Sequence, residues 1–81
     1  MTARHLRVRV REGSQVRADL TFQAAAAAHL VDLMPPELVE RLQARGLDVG
    51  RIAADAVARG FAPGELFQLT DENKEVRVWL E

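Results

Sequence analysis

The stretch from Thr21 to Met34, TFQAAAAAHLVDLM, constrains this chain more than any other. Apart from Gln23, His29 and Asp32 it presents almost nothing to water, so as a helix it needs cover on more than one side. Thr21 stands where an N-cap would accept a backbone N–H from Gln23 or Ala24, and the alanines that follow have the highest helix propensity of any residue. Pro35 and Pro36 end the segment, since residues before proline avoid the helical region and proline has no N–H to donate. The pattern predicts a central buried helix over residues 22–34, with the rest of the chain as its wrapping.

The flanking segments have the periodicities that wrapping requires. Leu6, Val8 and Val10 alternate with Arg7, Arg9 and Arg11, and the same period resumes at Val16, Ala18, Leu20 and Phe22. Gly13 and Ser14 lie between the two runs, which predicts an antiparallel hairpin over residues 6–21 with one apolar face and one arginine face. After the central segment, Pro36 opens a helix over 36–45, with Glu37 in its first turn and Gly46 just past its end. Asp48 caps a further helix over 49–59, whose inward face is Val49, Ile52, Ala53, Ala56 and Val57, and Gly60 stops it. A second hairpin occupies 66–80. Centring its turn on Glu72 and Asn73 pairs Leu69 with Val76 and Phe67 with Val78, and leaves Leu66, Gln68, Arg77 and Trp79 on the other face. The expected architecture is α+β, in the order β-β-α-α-α-β-β, with both hairpins in one antiparallel sheet packed on two to three helices as a single small domain.

Charge supports the joining of the hairpins. The first 20 residues carry five arginines against Glu12 and Asp19, whereas the last 17 carry five carboxylates against Lys74 and Arg77. Opposite charges across neighbouring strands favour pairing of the two ends. The chain has no cysteine, hence no disulfide framework and no thiolate metal site. No run approaches the length of a membrane span, and alternating arginines stand where a signal peptide has an apolar core, so a soluble, cytoplasmic protein is expected.

The order of features resembles the small β-α-β module of bacterial SHOCT-like, YvlB/LiaX-type proteins linked to cell-envelope stress. The matching segments are the hairpin LRVRV, turn, VRADLTF; a helix ending at Leu33-Met34-Pro35; the helix-opening Gly46-Leu47-Asp48; and the closing Gly64-Glu65-Leu66, Asp71-Glu72 and Val76 to Trp79. The chain departs from that family in having Thr at position 21 where proline is expected, in its alanine-rich helix and in lacking an N-terminal helical hairpin rich in Glu and Leu. The resemblance implies a non-enzymatic interaction or regulatory module acting in a stress response.

Catalytic and metal chemistry find little to work with. His5 and His29 are the only imidazoles, neither has a second ligand at metal spacing, and Glu37 and Glu40 are one turn apart on a polar helix face. No cofactor, metal or enzymatic activity is expected. Two binding readings stay open. In the first, Trp79 and Leu66, adjacent on the outer sheet face and rimmed by Arg7, Arg9 and Arg77, form the centre of a homodimer interface, tryptophan and arginine being frequent anchors. In a competing arrangement of the same residues the indole simply lies over the Arg7 or Arg9 stem. In the second binding reading, Arg7, Arg9, Arg11 and Arg17 track nucleic-acid phosphates, but the chain is slightly acidic overall and poor in aromatics.

Overall fold

The computed structural model describes residues 2–81. Strands β1 (His5–Glu12) and β2 (Gln15–Gln23) form the first hairpin, and β3 (Gly64–Asp71) and β4 (Lys74–Leu80) the second. They join in one antiparallel sheet of order β2-β1-β4-β3, so the chain's two ends pair at its centre. The connecting residues form a 3-10 helix (Ala24–His29) and the helices α1 (Pro36–Ala44) and α2 (Val49–Ala58). The fold is α+β, as the periodicities predict. The expected register of the second hairpin is also found: Leu69 faces Val76, Phe67 faces Val78, and Glu72 and Asn73 make the turn. The hairpins are each longer than expected, reaching residue 23 in one and beginning at residue 64 in the other.

The central helix over 22–34 is not formed. β2 runs on through Thr21, Phe22 and Gln23, which pair with Arg7, Leu6 and His5, so Thr21 is a strand residue and caps nothing. The alanines then take up a 3-10 helix, and bonds such as that from the Asp32 N–H to the His29 carbonyl continue as turns toward Pro35. Helix propensities differ by only fractions of a kcal/mol per residue, and tertiary demand decides here. With three residues per turn, Ala24, Ala27 and Leu30 fall in one line, and all three are buried. Their neighbours Ala25, Ala28 and His29 face water. The segment therefore needs cover on one side only.

The two α-helices follow their sequence signals closely. Asp48 accepts the Arg51 N–H at 3.2 Å as the N-cap of α2. Both helices end in the same way, with a left-handed glycine (Gly46, φ 82°; Gly60, φ 64°) and a pair of bonds back into the last turn. These run from Gly46 and Leu47 to the Gln43 and Leu42 carbonyls, and from Gly60 and Phe61 to those of Val57 and Ala56. Val49, Ala53 and Ala56 are buried, but Val57 is 50% exposed. Val57 lies about 80° round the axis from Val49 and about 140° from Ile52, past the edge of the stripe that meets the sheet.

Leu6, Leu30, Leu42, Val49 and Val78 are fully buried and form the heart of the core, with Phe67, Leu69, Val76 and Leu80 beside them. The 3-10 segment packs on β1 and α2, and α2 on β3. β2 has no buried residue along its whole length.

Candidate functional site

Two surfaces of the sheet are candidates. On the outer face, β1 and β4 set Arg7 opposite Trp79 and Arg9 opposite Arg77. The three guanidiniums lie 5.5, 5.4 and 5.0 Å from the centre of the Trp79 ring, in the order Arg7, Arg9, Arg77. The indole thus lies among arginine stems, the arrangement that competed with the interface reading.

Carboxylates answer these cations. Arg7 donates to Asp19 at 2.7 Å and to Glu81 at 2.9 Å; Arg9 meets Asp19 at 3.5 Å, and Arg77 meets Glu65 at 3.6 Å. The Arg7 hydrogen bond holds the Asp19 carboxyl below its ordinary value, and the same bond raises Arg7. Three arginines and three carboxylates leave the patch neutral, and Arg7–Glu81 ties β1 to the chain's end, as the opposed terminal charges suggested.

Two bulges rearrange the predicted faces. Leu66 is the extra residue between Glu65 and Phe67, so Glu65, not Leu66, stands opposite Trp79. Leu66 packs against the core and lines a cleft with Ile52 and Ala56 of α2. The expected Leu66–Trp79 pair does not exist. In β2, Val10 faces Ala18 but Arg11 faces Val16, which leaves Arg17 out of the ladder. Val16 is carried to the arginine face, and Arg17 leaves the arginine row to meet Glu12 at 3.8 Å.

The second surface lies on the helix face beside β2. A cleft of about 120 Å³ opens there, lined by Val8, Val10, Leu20, Phe22, Leu30, Leu33, Met34, Pro35, Leu38 and Val76. Leu20 and Leu33 at its margin are 49% and 40% exposed, Val31 nearby in the chain is 42% exposed, and Phe22 and Met34 are half-buried. Sequence reasoning missed this site because β2 alternates as a covered strand does. The available signal was volume: five consecutive alanines carry little bulk with which to roof the edge of a four-stranded sheet.

Among the described residues no group of three or more His, Cys, Asp and Glu side chains is arranged to hold a metal ion. No helix among them is long and apolar enough to cross a membrane. Comparison of the chain with protein-family models, with curated proteins and with solved structures finds no match.

Proposed function

We propose that this chain is a non-enzymatic protein-interaction module that associates with itself, a cytoplasmic regulatory unit of the kind implied by its resemblance to envelope-stress proteins. The apolar cleft beside β2 carries this reading. Leu20 and Leu33 leave apolar surface in water next to the free edge of β2, and covering such surface contributes about 25 cal/mol per Å². Exposed leucines at the rim of an apolar cleft suit a protein partner.

The arginine face gives less support to a nucleic-acid reading. Arg7, Arg9 and Arg77 are each engaged by Asp19, Glu81 or Glu65, so a phosphate would have to displace a carboxylate at each position. Light scattering across tens to hundreds of micromolar tests the proposal. The wild type forms a dimer that Leu20→Glu abolishes, while Trp79→Ala, on the opposite face, leaves it intact. A wild type that stays monomeric throughout overturns the reading.

A further inference from the structure

We infer that the second copy docks by antiparallel backbone pairing of β2 with β2, which joins two four-stranded sheets into one; this rests on the self-association proposed above and specifies its geometry. The hydrogen-bonding pattern fixes which groups of β2 are free. His5 and Glu81 exchange both backbone bonds, at 2.8 and 2.9 Å, and the Ala24 N–H donates to the Arg4 carbonyl at 3.2 Å. The bonding side alternates residue by residue along an antiparallel strand, so the odd residues of β1 bond to β4 and the even ones to β2. In β2, Ala18, Leu20 and Phe22 are therefore tied to β1, while the N–H and C=O groups of Asp19 and Thr21 point outward from the sheet, with no strand beyond them among the described residues.

The free edge is complementary to its own copy. Past the bulge at Arg17 the strand is regular from Ala18 to Gln23, with no lysine or proline to discourage pairing. A two-fold axis through Leu20 sets Asp19 opposite Thr21 of the second copy, which joins outward groups to outward groups. Leu20 then meets its own copy at a non-hydrogen-bonded position, where side chains approach most closely, and Ala18 meets Phe22. All of these lie on the helix face, so the clefts of the two copies meet across the axis. Charge agrees with this register. Asp19 is the only charged residue of the regular stretch, it is held by Arg7 and Arg9, and the offset keeps it from facing its own copy. Two chains of net charge −1 repel little. The other edge, β3, is broken by the bulge at Leu66 and is packed by α2.

Amide hydrogen exchange on the wild type, at low and high concentration, tests the register. The Asp19 and Thr21 amides become strongly protected as concentration rises, whereas Leu20 and Phe22 are protected at both. Thr21→Pro supplies the second arm: the substituted N–H is unbonded in the single chain, so the variant folds and melts near the wild type but stays monomeric. A wild-type dimer whose Asp19 and Thr21 amides do not respond, or a dimeric Thr21→Pro, overturns edge pairing while leaving self-association standing. A wild type monomeric at every concentration removes both. Should Thr21→Pro fail to fold, the exchange measurement alone decides.

Discussion

β2 and β3 are the two edge strands of one sheet, nine and eight residues long, and each carries a bulge that shifts one register position. On β3 the apolar positions Phe67 and Leu69 are buried under the helical layer, whereas on β2 the equivalent Leu20 is half in water and Phe22 only partly covered. The difference lies in the segment to which each strand leads. β3 turns back into β4 and lies beneath α2, while β2 leads into a row of alanines whose small side chains cover β1 and leave the edge open. An alternating strand thus declares that one face is apolar, not that the face is buried.

Charge insertion is the strongest way to break this comparison. Val78 on β4 is fully buried, so Val78→Asp places an unpaired carboxylate in the core at a cost of several kcal/mol, about the whole stability of a domain this small. Circular dichroism shows that variant unfolded. Leu20→Asp on β2 leaves a cooperatively folded chain with a melting curve close to wild type; unfolding of both variants alike would show that β2 is as much a part of the core as β4.

Truncation sharpens the same contrast among the helical residues. Leu42 in α1 is fully buried, and Leu42→Ala costs about 2 to 5 kcal/mol in denaturant unfolding. Leu33, at the rim of the open cleft, costs no more than about 0.5 kcal/mol when cut to alanine. Equal losses at the two positions would mean that the cleft is closed in solution.

The elements and their partners were legible because local signals agreed with the fold. Asp48, Gly46, Gly60 and the Gly13-Ser14 and Glu72-Asn73 turns each sit at a boundary that their own backbone chemistry dictates. Three features were not legible. The extension of β2 through Gln23 overrode the propensity of the alanines, because the ladder with β1 was available. The bulges at Arg17 and Leu66 arise from pairing geometry that alternation does not encode; the first displaced Val16 and Arg17 from their predicted faces, and the second displaced Leu66. Trp79 was placed correctly on the outer face, but its expected neighbour Leu66 was lost to the bulge.

The alanine segment gives a finer test of the three-residue repeat. Ala27 is fully buried and Ala25 is exposed. Ala27→Asp therefore destabilises by several kcal/mol, through burial of an unpaired charge, while Ala25→Asp stays within about 0.5 kcal/mol of wild type. In an α-helix wrapped on several sides both substitutions would be severe.

The smallest expected effect belongs to the ion pairs that hold β2 to β1 on the outer face. Asp19 has its carboxyl pulled below the usual aspartate value of 3.8, first by the Arg7 hydrogen bond. Because the folded value lies below the unfolded one, the stabilisation is fully present above the unfolded pKa and is lost as pH falls through it toward the depressed folded value. Melting temperatures measured at low concentration, where copies do not pair, therefore fall on acidification below about pH 5, and Asp19→Asn removes part of that slope. Its solvent exposure keeps the effect small, and added salt diminishes it further. An Asp19→Asn variant that keeps the wild type's acid slope would show that the pairing of Arg7 with Asp19 contributes nothing to the docking of β2 on β1.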